Sequence, residues 1–254
     1  MKSKSEDIGE DMADATEQAR VVRIVEKLRA TYPGAKCSLD FQTPFQLLIA
    51  TILAAQCTDE RVNMVTPKLF AKYPTPESFA QADPEMLEQD LKQINFYRNK
   101  AKNIREMARL LVERFHCEVP RTMPELVSLP GVARKTANVV LSNAYGIIEG
   151  YIVDTHNIRL ARRLGLTAHD DPAKIEHDLI AVVPKEDWLD LSHLFIYHGR
   201  AVCQARKPLC NQCVLVSDCP TGQAMLGAEA AEEAGTSNSP SPVSTTRTRA
   251  RKTK

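Results

Sequence analysis

Apolar positions along this chain recur at helical rather than alternating spacing. Val21, Val22, Val25 and Leu28 form one stripe, and Ile104, Ala108, Leu111 and Phe115 form another. Steps of three and four residues put side chains on one face of an α-helix. No alternating run long enough for a half-buried strand interrupts them. Four segments open alike, at Thr43-Pro44, Thr75-Pro76, Asp83-Pro84 and Asp171-Pro172. Each sets a capping side chain before a proline, whose missing N–H costs nothing at the first helical position. With short connections between them, these segments predict an all-α protein of about ten helices.

The pattern fades at both ends. Residues 1–17 are polar and acidic, while 221–254 mix Ala, Glu, Gly, Ser and Pro and finish in "TTRTRARKTK". Both stretches read as disordered tails, the second with a basic tip. The longest apolar run, residues 45–55, is too short and too interrupted to span a bilayer. The start of the chain does not resemble a signal peptide. A cytoplasmic location without a membrane partner is expected, so the seven cysteines are not expected to form a disulfide framework.

Composition adds little beyond an ordinary globular character, but charge adds something once it is split. The net charge of +1 conceals −4 on residues 1–17 and +2 on residues 221–254, leaving +3 between them. Residues 92–114 hold seven basic side chains and two acidic ones. A localised basic surface of this kind suits nucleic acid, although a solvated helix face has the same composition.

Four cysteines lie close together as Cys203, Cys210, Cys213 and Cys219, in the pattern C-x6-C-x2-C-x5-C. So many thiols in one short loop point to ligation of a metal or a cluster. Zinc sites pair cysteines about two to four residues apart at both ends. Only Cys210 and Cys213 are spaced that way, and the longer arms better suit a cubane iron–sulfur cluster. The first arm carries Arg206 and Lys207 with no acid nearby. A loop pinned at both ends could hold these cations toward a phosphate backbone, or they could balance the thiolate charge. Cys37, Cys57 and Cys117 read as buried or incidental thiols.

The stretch "SLPGVARKTANVV", residues 128–140, sets a Pro-Gly turn against a helix start and a lysine, Lys135, in the first helical turn. Free N–H groups at a helix N-terminus suit a phosphate. Lys135 is then either one more phosphate contact or a nucleophile.

"LPGVARKTANVVL", "VDTHNIRLARRLGL" and the four-cysteine pattern together resemble the endonuclease III family of base-excision DNA glycosylases, within the helix-hairpin-helix superfamily. The resemblance covers about residues 21–220. It implies two helical lobes with a DNA-binding groove between them. A six-helix bundle over 37–148 would carry the hairpin at 124–145, and 18–36 with 149–220 would form the lobe of a [4Fe-4S] cluster. The hairpin turn, with Gly131 and Ala133, would offer backbone N–H groups to a DNA phosphate through a monovalent cation. Ala133 stands where the family pattern has a second glycine. A positive φ there would cost about 1 kcal/mol, and a negative one nothing.

The resemblance also implies the chemistry. Lys135 matches the catalytic lysine, which attacks C1′, expels the base and remains attached as a Schiff base before β-elimination nicks the strand. An amine attacks only when neutral, so burial or neighbouring positive charge is expected around it. Asp154 matches the catalytic aspartate that supports Lys135 and stabilises positive charge at C1′, and its spacing also suits a helix N-cap. Gln56 and Phe96 match residues that fill the gap left by an extruded base. A smaller aliphatic residue is common in the family where Phe96 stands. Asp59 matches an acid near the pocket, and His156 and Arg159 read as structural. The expected protein is a monomer acting on damaged double-stranded DNA, cytoplasmic and nucleoid-associated. An adenine-specific mismatch glycosylase, which typically lacks the hairpin lysine, and a noncatalytic hairpin module are the alternatives.

Overall fold

The computed structural model describes residues 4–236. Helix α1 (Lys4–Thr31) leads into α2 (Pro44–Ala54), α3 (Asp59–Lys72), α4 (Pro76–Ala80), α5 (Pro84–Leu91), α6 (Tyr97–Arg114), α7 (Met123–Val127) and α8 (Arg134–Tyr145). The chain continues through α9 (Thr155–Arg163), α10 (Pro172–Val182), α11 (Trp188–Ala201) and α12 (Pro220–Thr236), with no strand among the described residues. The α4 and α7 segments, five residues each, are too short to show a periodic stripe, so the pattern alone suggests fewer helices.

All four Thr-Pro and Asp-Pro openings begin helices. Thr43 accepts from Gln46 N–H, Thr75 from Ser78, Asp83 from Met86, and Asp171 from both Ala173 and Lys174. Each proline stands in the first turn, where an orphan N–H would otherwise need a partner. Both ends carry more helix than their composition suggests. Helix α1 already runs from Lys4, and α12 continues through the Ala- and Glu-rich stretch to Thr236. Ala and Glu are strong helix formers, and this local preference outweighs the polar character of the segments. The basic tip lies outside the described residues.

Two separate hydrophobic cores form. The first gathers Leu47, Leu48 and Leu53 of α2 with Ile104, Met107 and Leu111 of α6 and Val140 and Leu141 of α8, all fully buried. The second gathers Val21, Ile24, Val25 and Leu28 of α1 with Leu160, Ile175, Leu179, Leu191 and Phe195. Val22, part of the expected stripe, is instead 37% exposed, and Ile24 is fully buried. Residues 21, 24, 25 and 28 follow the i, i+3, i+4, i+7 face, from which position 22 is rotated away.

Helix α1 is thus the chain's start folded back on its later half. Arg20 fastens it by donating to the carbonyls of Leu164 (2.9 Å) and Asp218 (2.7 Å). Lys27 donates to the Asp218 carboxylate at 2.6 Å. Polar ties join the two cores. Arg134 of α8 pairs with Glu176 of α10 at 3.0 Å, and Arg200 of α11 pairs with Asp59 of α3 at 2.7 Å. The His193 Nε2 of α11 stands 2.9 Å from the Asn143 Oδ1 of α8. No helix among the described residues is long and apolar enough to cross a membrane.

Candidate functional site: the hairpin, the facing carboxylate and the cysteine loop

Helix α7, a tight turn and α8 form the hairpin. Within the turn, Leu129 N–H donates to Leu126 and Val132 N–H to Leu129, both at 3.1 Å. Gly131 has φ +80°, and a Cβ built there would lie 3.1 Å from the Asn103 Cβ of α6. Glycine answers both demands, the left-handed backbone and the close approach. Ala133 has φ −91° and ψ 167°, an extended conformation that alanine adopts freely. The departure from a second glycine therefore carries no backbone cost. Ala133 is the N-cap of α8 and offers no capping side chain. The first helical bond is Ala137 N–H to Ala133 O, so the N–H groups of residues 134–136 are left for an outside acceptor.

Lys135 sits in this first turn and is exposed, not buried as the chemistry led us to expect. Gly131 and Ala133 of the turn are exposed as well, while Val132 between them is buried. Arg134 beside it is occupied by Glu176. Among the described residues no carboxylate stands within ion-pair distance of Lys135.

Asp154 caps α9, and its Oδ1 accepts both the Asn157 backbone N–H (2.8 Å) and the Asn157 side-chain amide (2.9 Å). Asn157 is fully buried and fixed in turn by Tyr151, whose hydroxyl donates to its Oδ1 at 2.8 Å. Its amide also reaches the Ser192 carbonyl at 3.2 Å. Both donors converge on one carboxylate oxygen, and Oδ2 is left for another partner. Asp154 and Lys135 do not touch each other. They come from opposite cores, and Gly150 brings the segment before Asp154 close to α8: a Cβ there would lie 3.0 Å from the Asn138 amide and would meet the Glu176 carboxylate of α10.

Gln56 and Phe96 lie in the loops after α2 and before α6. They share an unusual backbone, with φ +54° and +56°, and both are exposed. A non-glycine residue held there costs about 1–2 kcal/mol, so the surroundings must enforce it. Asn95 joins the two loops by donating to the Gln56 carbonyl at 2.7 Å. Asp59 is engaged by Arg200, which also donates to Ser38, so Arg200 is not a free cation of the cysteine loop. Arg159 ties α9 to the Cys203 and Gly199 carbonyls at 3.0 and 3.1 Å, and stands 3.0 Å from the His156 Nδ1. Burial pushes the His156 imidazole down from its ordinary range, which suits a neutral packing role.

The four sulfurs of Cys203, Cys210, Cys213 and Cys219 line one small void, together with Arg163, Leu209, Val216 and Met225. No carboxylate lines it. Nitrogens face three of the sulfurs: Arg163 at 3.2 Å from Cys203, Gly222 N–H at 3.3 Å from Cys219, and His198 Nε2 at 3.3 Å from Cys213. The Arg163 guanidinium and the Gly222 N–H are donors, which suit sulfur that carries negative charge. Among the described residues no group of three or more His, Cys, Asp or Glu is arranged to hold a single metal ion. Arg206 and Lys207 are exposed on the arm between Cys203 and Cys210, which Arg163 braces through the Gln204 and Ala205 carbonyls. A larger cavity, lined by Lys36, Asp40, Gln46, Phe70 and Asn143, includes neither Lys135 nor Asp154.

Asn157, Tyr151, Asn95 and Lys100 are the contributors that sequence reading missed. Asn157 had a usable signal, since it stands three residues after Asp154, where a cap's partner N–H belongs. Tyr151 lies only six residues before its partner Asn157, whereas the partners of Asn95 and Lys100 lie 39 to 47 residues away.

Comparison with known proteins gives a consistent result. The family described as the HhH-GPD superfamily of base excision DNA repair proteins matches residues 49–185. Endonuclease III of Synechocystis sp. is 56% identical over 210 residues, covering 83% of this chain and 96% of that protein. Endonuclease III of Bacillus subtilis is 46% identical over 200 residues, covering 78% and 91%. A solved structure described as a trapped endonuclease III–DNA covalent intermediate superposes with a TM-score of 0.78 at 42% identity, covering 82% and 98%.

The two turn positions should respond oppositely to substitution. Gly131→Ala should destabilise the protein by about 1 kcal/mol or more, through positive φ and the Asn103 contact. Ala133→Gly should change stability by only about 0.5 kcal/mol. Denaturant midpoints measure both, and equal losses would contradict this account of the turn.

Proposed function

Since the chain belongs to the endonuclease III family, a DNA glycosylase with abasic-site lyase activity in base excision repair, we propose that Lys135 is its nucleophile and Asp154 the carboxylate that assists it. The observation that carries this reading is a contrast in how the two side chains are held. Lys135 is exposed at a helix start with no acid paired to it, while Asp154 is fixed through one oxygen with the other free.

Damaged duplex DNA is the partner, with oxidised pyrimidines as the bases released. The base is extruded into the groove, where the entering nucleotide excludes the water that now surrounds Lys135. The amine attacks C1′ and the C1′–N bond breaks. Its electron pair leaves with the base, which takes up a proton. Asp154 accepts the proton that the attacking amine sheds and stabilises positive charge at C1′. The lone pair of the lysine nitrogen then opens the sugar ring by breaking the C1′–O4′ bond, O4′ takes up the proton that Asp154 returns, and the resulting Schiff base acidifies C2′. Loss of that proton breaks the C3′–O bond, and the 3′ phosphate departs. Water then releases Lys135.

The N–H groups at the start of α8 receive a DNA phosphate, with a monovalent cation bound at the turn. Arg206 and Lys207 meet a second stretch of backbone. Gln56 and Phe96 fill the space that the extruded base vacates. The division into a 37–148 bundle and an 18–36 plus 149–220 lobe belongs to the same reading, as does a monomer working at the chromosome in the cytoplasm.

Cys203, Cys210, Cys213 and Cys219 would hold a [4Fe-4S] cluster. Four cysteines around one void, at the C-x6-C-x2-C-x5-C spacing, support a multi-iron group over zinc. When bound, the group supplies rigid cross-linking of the loop and no chemistry at C1′. Purified protein should be yellow-brown, with about four iron atoms and four sulfides per chain. Colourless, fully active protein holding one zinc would contradict this.

The nucleophile is tested by Lys135→Gln, which keeps hydrogen-bonding capacity but removes the amine. It should bind damaged duplex within about threefold of wild type while losing base release and strand nicking together. Asp154→Asn should slow single-turnover release with little loss of affinity. A Lys135→Gln rate near wild type at saturating enzyme would show the lysine to be a phosphate contact only.

A further inference from the structure

Lys100 is a buried cation with no carboxylate partner among the described residues. It lies on α6 with 6% of its surface exposed. Its Nζ donates to two carbonyls at the end of α2, those of Leu53 at 2.8 Å and Ala55 at 2.5 Å. Burial pushes the amine down from the usual lysine range, opposed by the nearby Cys57. A buried charge is costly, and an apolar side chain of similar length could fill the space without that cost. What the ammonium adds is two hydrogen bonds at the negative end of a helix dipole, on carbonyls that α2 itself leaves unsatisfied.

Those carbonyls lead directly into Gln56. The Lys100 backbone N–H donates to Phe96 O at 3.2 Å, so the same residue touches both strained loops. Asn95 closes the circuit from the other side through its bond to the Gln56 carbonyl. Phe96 caps α6 without any side-chain hydrogen bond of its own, so the strain there is not balanced by a local cap.

We propose that Lys100 and Asn95 are positioning residues that lock Gln56 and Phe96 in their left-handed conformations, holding both loops ready to occupy the duplex when a base leaves. The proposal rests on the reading of Gln56 and Phe96 as gap-filling residues. Locked loops need no ordering during extrusion, so the clamp speeds the step that opens the duplex and leaves the chemistry at C1′ untouched.

The test compares a substrate that needs a filled gap with one that does not. Lys100→Met keeps the stem and removes the donors. It should slow single-turnover release of an oxidised pyrimidine from duplex DNA by about tenfold or more. Its β-elimination at an abasic site in single-stranded DNA should stay within about twofold of wild type. Asn95→Ala, at an exposed position, should show the same selectivity with a smaller fall, and it serves if Lys100→Met does not fold. Equal losses on both substrates would mean a general structural role and overturn the proposal, as would an unchanged duplex rate. Gln56→Ala combined with Phe96→Ala checks the premise separately. If that pair leaves duplex release intact, the gap-filling reading fails and the clamp falls with it.

Discussion

Lys135 is built on one hydrophobic core and Asp154 on the other, so their relative placement depends on how the cores are held together. Polar ties do part of this, and they differ in weight. Exposed ion pairs such as Arg134–Glu176 contribute about 0–1 kcal/mol each. The bond between His193 and Asn143 counts for more, because His193 is 8% exposed and a broken bond would leave its nitrogen without water. Burial pushes the His193 imidazole down, so the neutral ring can donate to the Asn143 oxygen. Gly150 lets the segment leading to Asp154 lie against the Glu176, Asn138 and Arg134 side chains, which a Cβ there would crowd.

Around that junction, residues expected to touch DNA are preset by structure behind them. Asn157 fixes one oxygen of Asp154, and Arg163 braces the arm that carries Arg206 and Lys207. The hairpin turn is preset by Gly131 against Asn103. In each case a group behind the surface determines where a more accessible one stands. This arrangement lowers the ordering cost at the moment of binding.

Local features were the legible part of the sequence. The Thr-Pro and Asp-Pro caps, the hairpin turn, the Asp154 cap and the cysteine loop all depend on residues within a few positions of one another. The helical ends are less legible, because Ala and Glu favour helix while the polar composition argues for disorder. Val22 lies off the buried face because Ile24 sets the phase of that stripe. Lys100 was invisible as a cap because its carbonyl partners lie 45 and 47 residues earlier. The exposure of Lys135 could not be read either, since it depends on where the two cores leave an opening.

The central claim is that Lys135, alone among the lysines, forms the covalent bond to the sugar. Borohydride reduction during turnover on a duplex with one oxidised pyrimidine would fix that bond, and peptide mapping of the adduct would locate it. The account predicts a single modified peptide carrying the DNA remnant on Lys135. An adduct on any other amine, or active protein that yields no adduct at all, would contradict it.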